Sequence, residues 1–288
     1  RMKFFRGILL IAESVKNFYC GNATVLTREK PPRTANKPAA NAVPLNSAVP
    51  AINRTTHTAK GKESILMAET SDNSRFQIRL RFQKIGDLKF ISHLDLMRTM
   101  RRAFHRAQIP LAYSCGFNPH PKMTFALPLS LGSESICEYM DITVTEELEY
   151  EQIKSRCNAV LPEELQITDV RKPVCGLDKI GFSDYEIRIK PLCTEKGFEN
   201  AFADYIKAPV YIEKQSKSGI KTIDITERIH SASFIGDKDA LFIKARLCAD
   251  NALFLNPELL VRAFAQNPST AIHEDYAILR TEIYQKDG

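Results

Sequence analysis

No two of the seven cysteines form a CxxC pair, none belongs to a CxxxCxxC triplet, and no cysteine and histidine fall at metal-ligand spacing. The chain therefore encodes neither a zinc knuckle nor an iron–sulfur cluster, and no metal site or cofactor is assigned to it. The odd, wide scatter at positions 20, 115, 137, 157, 175, 193 and 248 suits reduced thiols, which sets the expectation of a cytoplasmic protein. Long hydrophobic runs are missing as well. Met2 to Ala12 has the flavour of a signal sequence, but Glu13 and Lys16 cut its apolar run far short of a bilayer span, so no membrane association is expected. Net charge is also missing from most of the chain. The formal +6 lies wholly in residues 1 to 74, with 11 Lys/Arg against 5 Asp/Glu, and the remainder balances at 29 against 29. Such balance argues against indiscriminate polyanion binding.

What is present is unevenly placed. Residues 75 to 122 carry 10 basic and 2 acidic side chains, residues 123 to 172 carry 4 and 10, and residues 173 to 288 carry 15 and 17. A basic stretch thus abuts an acidic one, a dipolar arrangement that favours a specific anionic partner on one face. At 288 residues and 44% apolar composition the chain can build one large domain or two of about 100 residues, and two is the expectation. Residues 1–74 are set apart. They hold Pro31, Pro32, Pro38, Pro44 and Pro50 without a sustained apolar period, and read as a disordered tail or linker. The opening at Arg1 and the internal Met67-Ala-Glu69 suggest a fragment of a longer chain or an upstream extension of a gene starting at Met67.

From Arg75 the pattern becomes regular. Phe76, Ile78, Leu80 and Phe82 alternate with polar residues and predict a strand with one buried face. Ser92 is positioned to cap the next helix with Asp95 at N3, and Leu94, Met97, Met100, Phe104 and Ala107 are expected along its apolar face. Pro110 ends that helix. Short extended pieces around Tyr113 and from Met123 to Leu131, a strand from Tyr139 to Thr145, a helix over Glu149 to Val160 and a strand from Leu165 to Val170 complete a β-α-β-β-α-β order. A second pass follows: strand Tyr185 to Lys190, helix Glu195 to Lys207, a hairpin of Val210 to Gln215 and Ile220 to Ile225, strand Leu241 to Leu247, helix Pro257 to Ala265 and strand Tyr276 to Tyr284. The fold class expected is α+β: two tandem ferredoxin-like units with antiparallel sheets, spanning 75–173 and 174–288.

The densest concentration of ligand-handling groups runs from Phe90 to Lys122. Arg98, Arg101, Arg102 and Arg106 follow one another on the first helix, where guanidinium groups suit phosphate oxygens, although a merely solvated helix face reads the same way. Tyr113, Phe117, Asn118, His120 and Lys122 sit in a loop stiffened by Pro119 and Pro121, and could stack on and hydrogen-bond a base, as single-stranded RNA recognition requires. Equally, Phe117 could seal the loop onto the core. His93, on the side of the apolar stripe, is by default a structural histidine. Paired with His120 it could work as acid and base on a phosphodiester with Lys122 steadying the charge, or bind a metal with Asp95 or Asp141. Asp141 is more simply read as a partner of Arg79 or Arg81 on the neighbouring strand. Lys214, Lys217 and Lys221 make the second-half hairpin a further basic contact.

Leu88-Lys-Phe-Ile-Ser-His-Leu-Asp-Leu-Met-Arg98, Ala112-Tyr-Ser-Cys-Gly-Phe-Asn-Pro-His-Pro-Lys-Met-Thr-Phe-Ala-Leu-Pro128 and Glu138-Tyr-Met-Asp141 resemble the hallmark segments of the bacterial radical SAM-linked protein family, classed as a domain of unknown function. Lys214 to Asp224 and Asn256-Pro-Glu-Leu-Leu260 resemble its second-half segments, so the likeness spans about residues 75 to 287. The resemblance implies association with, or fusion behind, a radical SAM enzyme and no assigned reaction. Without a CxxxCxxC motif the chain is not itself that catalyst. The layout is also similar, at the level of fold alone, to CRISPR repeat-processing endoribonucleases. Three functions are therefore expected to compete: an accessory protein of a radical SAM enzyme that binds RNA, a metal-independent ribonuclease, and a protein–protein adaptor without nucleic acid.

Overall fold

The computed structural model describes residues 24–27, 75–216, 219–250 and 252–286. Apart from Thr24–Thr27, the segment expected to be a tail or linker lies outside the described residues. The chain is α+β, with four α-helices among the described residues and a mostly antiparallel sheet. In chain order the elements are β1 (Thr24–Thr27), β2 (Phe76–Lys84), α1 (His93–Arg106), β3 (Met123–Phe125), β4 (Glu134–Val144), α2 (Tyr150–Asn158) and β5 (Ile167–Arg171). There follow β6 (Ile180–Pro191), α3 (Glu199–Tyr205), β7 (Tyr211–Ser216), β8 (Gly219–Asp224), β9 (Ile229–Asp237), β10 (Ala240–Cys248), α4 (Pro257–Gln266) and β11 (Ile272–Gln285).

One nine-stranded sheet runs β1-β9-β10-β6-β11-β4-β2-β5, with β3 paired to β4, while β7 and β8 form a separate hairpin. Neighbouring strands are antiparallel except where β11 meets β4, a parallel contact registered at Leu279 with Glu134 and Arg280 with Ser135. Two hydrophobic cores line the sheet. The first packs Ile78, Leu80 and Phe82 of β2 and Met140, Ile142 and Val144 of β4 against Met100 and Phe104 of α1 and Ile153 of α2. The second packs Ile187, Ile189, Phe234, Ile243 and Ile278 against Phe202 of α3 and Leu260 and Phe264 of α4. The core residues named from β2 and β4 alternate along each strand, as the two-residue period of a pleated strand requires.

Ser92 accepts a hydrogen bond from the Asp95 amide at 3.1 Å and donates to its carboxylate at 2.8 Å, closing the first turn of α1. The buried stripe of that helix is Leu96, Met100, Ala103 and Phe104, continued by Ala107. Leu94 and Met97, expected on it, are exposed. Two overlapping stripes are possible in a helix rich in leucine and methionine, and the one containing Ala103 wins because it lets the helix approach the sheet closely. Phe76, at the start of β2, is likewise exposed. The expected strand from Met123 to Leu131 forms only over β3, and β4 begins five residues earlier than expected, at Glu134. Helix α3 is shorter than its expected span. Strand β9 is an addition to the expected elements: its buried Ile229, Ala232 and Phe234 are separated by serines and a histidine, and Ala232 contributes little apolar signal.

Phe104→Ala should cost about 3–5 kcal/mol of stability, whereas Leu94→Ala should change it by no more than about 0.5 kcal/mol. Urea unfolding of the two variants measures which stripe faces the core.

Candidate functional site

Arg98, Arg101, Arg102 and Arg106 all lie on the solvent side of α1. Arg98 pairs with Asp95 at 3.1 Å, and Arg106 donates to the Val160 carbonyl at 3.1 Å. The Ser92 hydroxyl, and after it Arg98, hold the Asp95 carboxyl below its ordinary pKa. Arg101 and Arg102 enter no ion pair or hydrogen bond among the described residues. An open groove of about 410 Å³ is lined by Thr99, Arg102, His105 and Arg106.

The loop after α1 is an irregular hairpin. Tyr113 bridges to Pro121, the Ser114 amide donates to the His120 carbonyl at 2.8 Å, and the His120 amide donates back to the Ser114 hydroxyl at 3.0 Å. Lys122 is fixed by backbone bonds to Ala112 and Thr143. Tyr113, Phe117, Asn118, His120 and Lys122 are exposed, and the Phe117 ring at the tip is wholly so. Gly116 makes the tip turn with a φ of 124°, a region open to glycine. Phe117 thus does not seal the loop onto the core.

His93 lies at the first turn of α1 with its ring edge-to-face on Phe125, centroids 5.2 Å apart. Among the described residues no hydrogen bond, ring contact or shared cavity joins it to His120. Phe125 lies five residues beyond His120 along an extended stretch, about 16 Å at strand rise. Asp141 is bound by Arg79 through two bonds of 2.7 and 2.8 Å directly across β2 and β4, a structural pairing. No group of three or more His, Cys, Asp or Glu able to hold a metal occurs among the described residues. The Lys217 residue and the Lys214 side chain lie outside the described residues, and Lys221 stands exposed on β8.

A second cluster draws on all three hallmark segments, although no charge run announces it. Beneath the first turn of α1, a cavity of about 10 Å³, room for roughly one water, is lined by Lys84, Ile91, His93, Leu96, Phe125, Leu127, Pro128, Leu129 and Glu138. Lys84 is 2% exposed and Glu138 5% exposed, and Arg280 behind them is fully buried. Arg280 donates through Nε and Nη2 to Glu138 Oε1 at 3.1 and 2.5 Å and through Nη2 to the Leu127 carbonyl at 2.9 Å, while its Nη1 makes no hydrogen bond among the described residues. Burial, the largest single influence, opposes the charge on Arg280, but Glu138, Tyr185 and Cys137 together outweigh it and the guanidinium pKa is raised. Burial pushes the Lys84 pKa down, and Glu138 only partly offsets this. A signal for the cluster does exist in the strands: Lys84 continues the inward series Ile78, Leu80, Phe82, and Glu138 opens the inward series Met140, Ile142, Val144. A charge at an inward strand position is the sign of a buried polar cluster.

Among the described residues no helix is long and apolar enough to cross a membrane. A family model described as "Uncharacterized protein conserved in bacteria (DUF2344)" matches residues 77–257. No curated protein matches the chain. Among solved structures it is similar to the acetolactate synthase small subunit from Thermotoga maritima, at 9% identity over 73% of this chain and 94% of that one, TM-score 0.21. It is also similar to an unknown protein from Galdieria sulphuraria, at 10% identity over 72% and 98%, TM-score 0.22.

Glu138→Ala should cost about 3–5 kcal/mol, because it leaves Arg280 charged and alone. Combined with Arg280→Met, the loss should fall well below the sum of the two single losses. A double-mutant cycle in chemical denaturation measures the coupling.

Proposed function

The chain belongs to DUF2344, a family of uncharacterized proteins conserved in bacteria, and from that premise we propose that it is a non-catalytic, cytoplasmic accessory protein of a radical SAM enzyme that binds an RNA substrate. The partner enzyme is inferred from the hallmark segments at Leu88 to Arg98 and Ala112 to Pro128. The observation that carries RNA binding is the pair Arg101 and Arg102, exposed and without an ion pair or hydrogen bond among the described residues, on a helix that begins a few residues after Phe90 and ends just before the Tyr113 loop. Two guanidinium groups left to solvent, that of Arg102 lining an open groove, are suited to phosphates. The wholly exposed Phe117 offers a stacking face for a base.

The strand orders β5-β2-β4-β3 and β11-β6-β10-β9 support reading the halves 75–173 and 174–288 as tandem ferredoxin-like units, with β7 and β8 inserted in the second. The ribonuclease reading needs His93 and His120 on one phosphodiester, and the extended stretch between their positions weighs against it. The adaptor reading has one observation in its favour. Phe90, Leu94, Met97 and Leu131 are all exposed, and the Gly132 amide ties the Leu131 turn to the Lys89 carbonyl beside Phe90.

Fluorescence anisotropy of the full chain on a labelled single-stranded RNA, measured across salt, tests the proposal. Arg101→Ala/Arg102→Ala should weaken binding, and the log–log salt slope should shrink by roughly 1.4, about 0.7 for each phosphate that is no longer neutralised. The RNA should remain intact under single-turnover conditions. Unchanged affinity and slope in the double variant would remove the RNA reading. Co-purification of a radical SAM enzyme that survives nuclease and is abolished in Leu94→Glu would establish the adaptor in its place.

A further inference from the structure

We propose that the cavity beneath the first turn of α1 is an oxyanion-binding site, in which Lys84 receives a phosphate or carboxylate group of a ligand entering past His93. Lys84 lines the cavity while its ammonium makes no hydrogen bond or ion pair among the described residues, although the residue is 2% exposed. Behind it Arg280 Nη1 also makes no hydrogen bond among the described residues. The charge around the cavity does not cancel. Glu138 is engaged by Arg280, and Glu134, the next carboxylate along β4, accepts from the Gly86 amide at 2.9 Å and faces Lys89 at 3.9 Å. With both carboxylates engaged elsewhere, the Lys84 ammonium is left without a hydrogen bond or ion pair among the described residues. A methionine at position 84 would continue the inward apolar series of β2 without the desolvation that an unpaired ammonium incurs. A partly dehydrated ammonium that faces a cavity, beside a carboxylate already engaged by Arg280, is an acceptor for an anion.

The walls state what else the ligand needs. Phe125, Leu127, Pro128 and Leu129 are apolar and offer little to a second charged group, so one oxyanion is held at the base and an uncharged portion of the ligand lies against the wall. The cavity as it stands has room for about one water, so entry requires the His93 ring to leave its edge contact with Phe125. That ring is at the exposed mouth, and this contact is what seats it. The site is separate from the exposed arginines of α1 and does not depend on RNA binding.

The test uses the full chain, with inorganic phosphate and acetate as probes and chloride keeping the ionic strength constant. Reductive methylation followed by peptide mass spectrometry reads the labelling rate of Lys84, with exposed Lys207 as internal reference. At an anion concentration filling about nine-tenths of the sites, Lys84 labelling should slow about tenfold, while Lys207 is unchanged. Protection by phosphate alone assigns a phosphate ester, and protection by acetate alone a carboxylate. In parallel, the effective anion should raise the thermal midpoint of the wild type and not that of Lys84→Met. Equal labelling in all three salts would overturn the proposal, as would the same thermal shift in Lys84→Met. Should that variant not fold, wild-type labelling alone decides. Arg101→Ala/Arg102→Ala should retain the protection, so failure of the RNA reading and failure of this site are distinguishable.

Discussion

The pairing of Arg280 with Glu138 holds together a seam that the backbone alone joins thinly. β11 and β4 are registered at two residue pairs, Leu279 with Glu134 and Arg280 with Ser135, whereas β11 runs along β6 for most of its length. Side chains reinforce what the ladder leaves sparse. On one face of β4, Glu138 receives Arg280; from the other, the Tyr139 hydroxyl donates to Glu282 at 3.4 Å, and Arg81 of β2 meets the same carboxylate at 2.9 Å. Arg280 and Glu282 are two apart and would share a face in a regular strand. The register shift between them turns them to opposite faces, so that each finds its partner on adjacent residues of β4.

Such a seam gains specificity more than net stability. Dehydrating a guanidinium and a carboxylate costs several kcal/mol per ion, and a pair rarely recovers more than that. What the pair does is exclude alternatives. A slip of β11 by one residue would reverse the faces of its side chains, leaving Arg280 with no carboxylate and Glu138 with no cation. The Leu127 carbonyl, which accepts from Arg280 at 2.9 Å, extends the constraint to the chain leaving β3. Cys137, beside the seam, is sealed in the same way: burial pushes its thiol up to about 12, so it is a packing group and not a nucleophile.

Periodicity makes most of the framework legible. Strands β2, β4, β6, β10 and β11 announce themselves through alternating large apolar residues, and Ser92 with Asp95 marks the start of α1 through hydrogen bonds made within four residues. These are local signals. β9 escapes them because its inward positions are Ile229, Ala232 and Phe234, and its amide groups find partners in β10 and β1, the latter far off in sequence. The candidate contacts on α1 and the Tyr113 loop are legible because exposure of charge follows from helical spacing. The Lys84 cavity is not, because it joins Lys84 to Glu138, with Arg280 bonded to Glu138 from a third strand. A pattern that treats each strand alone reports a charged inward residue as an interruption and not as half of a pair.

The same long-range geometry bears on the choice between binding and cleavage. Acid–base hydrolysis asks two groups to converge on one phosphodiester at hydrogen-bonding distance. Recognition of a single strand asks the reverse, that cations and rings be met at successive points along the backbone. Helix α1 carries Arg98, Arg101 and Arg102 along one side, its end turns at Pro110 into the hairpin bearing Tyr113, Phe117 and Lys122, and the return strand leads back to Phe125 and His93. An extended stretch that keeps His93 and His120 apart therefore hinders catalysis at a shared centre. On the proposed RNA reading, the same separation would supply the spacing of contacts along a ligand with regularly repeated charges and bases.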